Sequence, residues 1–388
     1  MTPVTTGADV VVVGGGIVGL SLAYELVTAG ATTVLVDRHD PGRATDAGAG
    51  ILSPETNRDP DPEFFRFGLA AAAHYATLVE RLAEDGATET GYAVTGTLLV
   101  AERPGDDVPM ADAVALIEGR SPTATREIEP EEARRHFPPM GPVRRALFNP
   151  AGRRVDGRTL SGALRSAAVN RGLRMVAADA IGLDADAGRG TVAGVVTTDG
   201  GVAADTVILA GGAWTAEAAA WLGVAVPVAP LKGQIVHLTL TGVDSRAWSI
   251  VQPVLGFYLV PWPDGRVACG GTMEAQTGFD HRPTADGLHQ LLREGLRTAP
   301  GLAQATVTDV RVGSRPVTPD DRPILGPVPG WSNLLVATGH GAEGLLLGPY
   351  SALMVASEAL GSDVPGPADQ VERARRLLAA CSLDRFAR

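Results

Sequence analysis

The chain has 388 residues, 45% hydrophobic and 20% charged, the balance of a globular protein, and at about 150 residues per domain it has room for two or three domains. Forty-four acidic residues against 33 basic ones give a formal charge of −11, which argues against a general affinity for nucleic acid or an anionic membrane. Cys269 and Cys381 are too few for a disulfide framework or a zinc site. Two lone thiols fit a reducing compartment, and the opening residues lack the basic stretch of a signal peptide, so a cytoplasmic location is expected. Val10 to Tyr24, the most apolar N-terminal stretch, is too short and too rich in glycine to span a bilayer.

Asp9–Val13 reads as a buried parallel strand, Ile17–Ala29 as a helix ending at Gly30, and Thr33–Asp37 as a second buried strand. Residues 41–50 are small and polar, as in a loop held close against a neighbour. Phe64–Asp85 has the spacing of an amphipathic helix and Gly96–Ala101 that of a strand. Proline and glycine place loops at Arg103–Pro109 and Phe137–Pro142. Asp156–Arg171 reads as a helix, followed by strands at Leu173–Val176, Thr191–Thr198 and Thr206–Ala210. Gln234–Thr241 and Phe257–Pro261 alternate like strands of a second sheet. Leu334–Thr338 is a last buried strand and Gly344–Ala359 a closing helix. A strand–glycine–helix unit thus opens the chain and another closes it, so a second domain is inserted between discontinuous parts of the first.

The turn Gly14-Gly15-Gly16-Ile17-Val18-Gly19 carries a G-x-G-x-x-G pattern between a strand and a helix. Gly14 permits the tight turn, Gly16 lets backbone approach a pyrophosphate, and Gly19 lets helix and sheet pack closely. The helix N-terminus offers N–H groups to phosphates, and Asp37, ending the next strand, can accept from a ribose. A dinucleotide is expected here, and the pattern alone leaves NAD and FAD both open.

This opening unit, the loop Arg43-Ala44-Thr45-Asp46-Ala47-Gly48-Ala49-Gly50-Ile51-Leu52, and the stretches Ala210–Trp214, Leu231–Gln234, Tyr258–Pro261, Gly271–Glu274, Arg315-Pro316 and Gly339-His340 together resemble the D-amino acid oxidase superfamily of flavoproteins, and within it the glycine oxidase group. The resemblance implies noncovalent FAD and an α/β fold, α+β overall, of glutathione-reductase type. In it a Rossmann-like FAD-binding domain over 1–90, 145–225 and 312–388 carries an inserted antiparallel-sheet substrate domain over 91–144 and 226–311. Gly14, Gly16, Ile17, Val18, Gly19, Asp37 and Arg38 would hold the dinucleotide, with Arg43, Ala44 and Thr45 near the pyrophosphate. The small residues from Ala47 to Gly50, Ala49 among them, would let the flat isoalloxazine ring lie against backbone, with Ile51 beside it; Ile181 would meet the adenine through its backbone, and Gly212 would line the site. The terminal turn His340, Gly341, Ala342, Glu343, Gly344, Leu345 and Leu346 would face the pyrimidine edge, where a helix N-terminus stabilises negative charge.

By the same resemblance Arg315 clamps a substrate carboxylate, because a guanidinium offers two parallel donors matched to that planar group. The rival reading is an ion pair with Asp320 or Asp321. Tyr258 would assist the clamp and Met273 would line the pocket. The sequence departs from the glycine oxidase pattern at Ala342, Gly256 and Trp262, each where that group carries an arginine, a histidine or a basic residue, so a second positive charge near the substrate is missing. The expected reaction is FAD-dependent oxidative deamination of a small amino acid of glycine, sarcosine or D-amino acid type, with oxygen as acceptor. The alternative is a dehydrogenase of a 2-hydroxy acid or secondary amine that uses a quinone or protein acceptor. The expected partners are the small-molecule substrate and the electron acceptor, with no nucleic acid and no membrane span; a homo-oligomer is compatible with the sequence.

Overall fold

In the computed structural model, which describes residues 5–57, 59–120, 124–186 and 188–387, the apolar runs at the two ends of the chain meet in one sheet. Thr5–Val13 lies at its centre, parallel to Thr33–Val36 on one side and to Gly200–Leu209 on the other. Arg174–Val176 extends it beyond Thr33–Val36, and Leu334–Thr338 pairs in parallel with Val207 to Leu209. These strands are continuous apolar runs because both faces are covered. Helices Ile17–Thr28, Pro62–Glu84, Gly157–Asn170 and Gly344–Ala359 pack into one core on one face. On the other face, the antiparallel ribbon Ala180–Asp186 and Thr191–Thr197 encloses a second core with Leu222, Val226 and Val328. The carboxyl ends of the parallel strands, Val13, Val36, Leu209 and Thr338, therefore converge on one edge, the place where open α/β sheets bind ligands.

A second eight-stranded sheet is mostly antiparallel. Ala229–Thr239 pairs with Thr306–Val317 and with Arg266–Gly270; Tyr258–Pro261, Ile250–Pro253 and Thr97–Ala101 continue the order. Helix Ala285–Thr298 covers one face of it through Leu291. Two strands cross the expected partition. Arg145–Asn149 pairs with Thr97–Ala101 in this second sheet, and Thr306–Val317 runs through position 312 with its whole length paired.

Residues 103–109, expected as a loop, instead start a helix, Asp107–Glu118. Asp106 accepts from the N–H groups of Glu102 at 2.9 Å and Arg103 at 3.0 Å, which turns the chain. Pro109 falls in the first helical turn, where its missing N–H would have had no partner anyway. Within the expected loop 41–50, Ala44–Ala47 forms a single helical turn. Cys269 and Cys381 are both free and buried. Among the described residues no helix is long and apolar enough to cross a membrane.

Candidate active site

A cleft of about 460 Å³ opens at the carboxyl edge of the parallel sheet and runs beneath the second sheet, within the size range of ligand and cofactor sites. The end of the cleft nearest the glycine turn is built as the G-x-G-x-x-G pattern requires. Gly14, at φ 110°, turns the chain so tightly that a side chain there would strike the Ala210 backbone. The Ile17 N–H donates to Thr45 Oγ1 at 2.9 Å, tying the helix start to the Arg43–Ile51 segment. Gly19 does not line the cleft; a side chain on it would collide with the Gly14 carbonyl, so it serves the close packing expected of it.

Asp37 lines the cleft with one carboxylate oxygen beside Gly15. The other accepts the His39 N–H at 2.6 Å and is ion-paired with Arg43. Arg43, expected at the pyrophosphate, is thus held by Asp37 and reaches the Gly15 carbonyl at 3.4 Å. Arg38 sits at the rim among Asp40, Asp179 and Glu217. Ile181 is 52% exposed and outside the cleft, whose wall is formed by the preceding Asp179 and Ala180.

Ala44, Thr45, Ala49, Gly50 and Ile51 all line the cleft, and Ala44, Ala49 and Gly50 bring little side chain into it. Gly212 and Gly341 also line it, with positive φ and open space where a side chain would project. Bare backbone at both ends, a wall of mostly small residues between them and a carboxylate beside the glycine turn fit a flavin dinucleotide.

His340 to Leu345 line the cleft, and Leu346 turns away into the helical core. Burial pushes the His340 imidazole down to about 4, and its Nε2 lies 3.0 Å from Ser351 Oγ, so it is neutral near pH 7 and anchored to the closing helix. That helix contains Pro349, which cannot donate to the Leu345 carbonyl one turn back. The buried Tyr75 hydroxyl donates to that carbonyl instead. Glu343 accepts from Asn57 Nδ2 at 3.5 Å. Burial, with the Asp59 carboxylate adding repulsion, pushes the Glu343 carboxyl up to about 7.

The second sheet contributes Arg315 and Tyr258. The guanidinium lies flat on Gly233, where any side chain would displace it, and Nη1 donates to the Thr272 carbonyl at 2.9 Å. Tyr258 lies beside it; burial holds the phenol above its ordinary pKa, against a smaller opposing pull from Arg315. The ion pair with Asp320 or Asp321 does not form: Asp320 is paired with Arg385, and among the described residues no carboxylate reaches Arg315. A buried network fixes the Thr272 segment. Thr272 Oγ1 and Gln234 Nε2 donate to Glu274 at 2.6 and 2.7 Å, and Lys232, 1% exposed, lies 3.8 Å from Glu274 and 3.5 Å from Asp280.

Met273, expected in the pocket, is 72% exposed and outside the cleft. Thr272 and Glu274 turn inward to this network, and alternation along extended backbone sends the residue between them outward. Several lining residues escaped sequence reasoning. Trp214, stacked on Phe279 at 4.7 Å, was signalled only by its place in the Ala210–Trp214 stretch. Thr56, which donates to Gln252 at 2.7 Å, and Asn57 gave no signal, because nothing local marks a loop residue as facing a distant strand.

The comparisons with known proteins agree with this geometry. The chain is 34% identical to the oxidoreductase YurR of Bacillus subtilis over 90% of its own length and 94% of that protein. It is 33% identical to the glycine oxidase of Pseudomonas putida, covering 92% and 95%. The iminodiacetate oxidase of Chelativorans sp. BNC1 superposes with a TM-score of 0.86 at 37% identity, covering 93% and 98% of the two chains. With the FAD dependent oxidoreductase family model matching residues 9–358, nearly the whole chain and every wall of the cleft, this protein belongs to the DAO family of FAD-dependent oxidoreductases.

Proposed function

We propose that the protein oxidises a small amino acid at its Cα–N bond, with dioxygen as the final electron acceptor. FAD supplies the hydride acceptor for the hydrogen leaving the α-carbon. The nitrogen loses its proton, and the imino acid formed is hydrolysed by water to a keto acid and ammonia or an amine. The observation that carries this reading is Arg315, a guanidinium in the cleft with a carbonyl partner but no carboxylate. Such a group offers paired donors to an incoming carboxylate, and Tyr258 can add a third from its neutral hydroxyl. The Lys232–Glu274–Thr272 network holds the guanidinium in place, so the cost of ordering the clamp is met before substrate arrives. The names of the relatives, glycine oxidase and iminodiacetate oxidase, support a small amino-acid substrate. Among the described residues Arg315 is the one arginine on the second-sheet side of the cleft, so a substrate with a single carboxylate, such as glycine or sarcosine, fits it best.

The test is anaerobic addition of glycine, sarcosine, iminodiacetate, D-alanine or D-proline to the purified flavoprotein, followed by air. Bleaching of the visible flavin absorption by a monocarboxylate amino acid, and its return in air, is expected. Bleaching by 2-hydroxy acids alone, or a flavin that stays bleached in air until an artificial acceptor is added, would refute the amine or the oxygen part of the reading respectively.

A further inference from the structure

Arg154 is 2% exposed, yet among the described residues its Nε and Nη1 have no hydrogen-bond partner and no carboxylate forms an ion pair with it. Its guanidinium stacks 5.0 Å from the centre of the Trp262 ring. Arg266 stacks on the same ring at 4.7 Å, but Arg266 has counter-charges in Asp156 at 3.5 Å and Asp264 at 3.9 Å, and its Nη1 lies 3.2 Å from His237 Nδ1. Arg154 feels Arg266 as a repelling neighbour and Asp264 as a distant attraction; burial lowers its pKa only to about 10, so it stays charged at neutral pH. A buried cation that rests on an indole face, with Asp264 as its one attracting charge and Arg266 repelling it, gains from negative charge arriving nearby.

The place of Arg154 shows where that charge would arrive. It pairs with Ile51 across the small three-stranded sheet formed by Ile51–Leu52, Ala93–Val94 and Arg153–Arg154. Residues directly opposite on antiparallel strands share a face, with Cβ atoms about 5 Å apart. Ile51 and Ala49 line the cleft, and behind them they join one cluster with Trp262, Ala268 and Tyr258. Neither Arg154 nor Trp262 lines the cleft, so the guanidinium on the Trp262 ring lies behind this wall, and one packed layer of side chains puts it on the order of 10 Å from the cleft. The chain departs from the glycine oxidase pattern at Trp262, and a positive charge is nevertheless present there, brought by a residue more than a hundred positions earlier in the chain.

We propose that Arg154 is a positioning residue for charge: it holds a permanent positive charge behind the Ala49–Ile51 wall that stabilises the negative charge gained by a flavin bound against it. Hydride transfer from the α-carbon delivers two electrons and one proton, so the ring system gains one net negative charge until the electrons pass to the acceptor. A fixed cation lowers the free energy of that charge without touching the ring, so it raises the reduction potential and the affinity for anions that add to the flavin. The inference rests on the functional reading above and on the isoalloxazine ring lying along the Ala49–Ile51 wall, as the family resemblance implies.

The test uses the FAD-loaded enzyme and its Arg154→Met and Arg154→Lys variants. FAD content is measured first, then the midpoint potential against redox dyes, then the dissociation constant of sulfite read from bleaching of the flavin. A unit charge at about 10 Å through protein of effective dielectric about 20 corresponds to a change of about tenfold. Methionine is expected to weaken sulfite binding by about that factor and to lower the potential, with FAD content unchanged. Lysine, which keeps the charge, is expected to stay within about threefold of the parent protein. Unchanged sulfite affinity and potential in the methionine variant would overturn the proposal, and a small anion neutralising Arg154 would give that result. A lysine variant as impaired as the methionine one would overturn it too, by showing that packing on Trp262 is what matters. If the methionine variant does not fold, Arg154→Gln against Arg154→Lys makes the same comparison with the same outcomes. A parent protein without flavin would overturn the functional reading and this inference with it, whereas full FAD with unmoved properties overturns this inference alone.

Discussion

Replacing Glu343 with glutamine isolates one titration at the edge of the cleft. Burial and the Asp59 carboxylate raise the Glu343 carboxyl from 4.5 to about 7. Asp59 itself stays ionised, because Arg322 donates to it at 2.8 and 3.0 Å and lowers its pKa. Glu343 therefore stays protonated in the fold at pH values where the unfolded chain has already lost that proton. A group whose folded pKa is raised contributes stability fully present below the unfolded value and lost as pH rises through the folded one. The window here runs from pH 4.5 to about 7. At about 1.4 kcal/mol per unit, the loss across it is about 3 kcal/mol. Glutamine has the same shape and no charge to bury, so the variant should be spared this loss. Urea unfolding of the cofactor-free protein, parent and Glu343→Gln, at intervals from pH 4.5 to 8 measures the difference directly, and the variant should gain on the parent as pH rises. A difference that stays flat over that range would show that Glu343 ionises freely in the fold and would refute the reasoning.

Arg315→Ala removes the proposed carboxylate clamp and leaves the glycine-turn end of the cleft untouched; losing paired charge-assisted bonds at about 1.5–3 kcal/mol each should raise KM by at least about a hundredfold with FAD content unchanged in steady-state assays. Tyr75→Phe leaves the Leu345 carbonyl without the donor that Pro349 cannot supply, and urea denaturation should register a loss of about 1–3 kcal/mol. Met273→Ala, at a position outside the cleft and 72% exposed, should leave kcat and KM within about twofold of the parent. A large rise in KM there would mean that the Gly271–Glu274 segment turns Met273 inward when substrate binds.

The features legible in the sequence are those set by neighbours along the chain. Ile17–Thr28 and Gly344–Ala359 follow buried strands and glycine turns, and those turns need residues that tolerate the left-handed region and close backbone contact, so Gly14 and Gly341 mark them without reference to the rest of the molecule. Family resemblance carried Arg315 and Tyr258, and the fold brings both into the cleft. The helix Asp107–Glu118 was hidden because its start looks like a proline–glycine loop until Asp106 caps the chain turn. Met273 was misplaced because which side of an extended segment faces the site depends on what its neighbours bind, here Lys232 and Gln234 on another strand. Tertiary structure alone decided the electrostatics. Glu343 meets Asn57 across 286 positions of sequence, and Arg154 lies on Trp262 because the strand Arg153–Arg154 and the residue after Tyr258–Pro261 pack behind the same wall. Turn and helix signals depend on local backbone sterics, which the sequence states directly. The charge state of a buried group depends on how much water the whole fold removes and on which distant charges it brings close, and no local pattern encodes either.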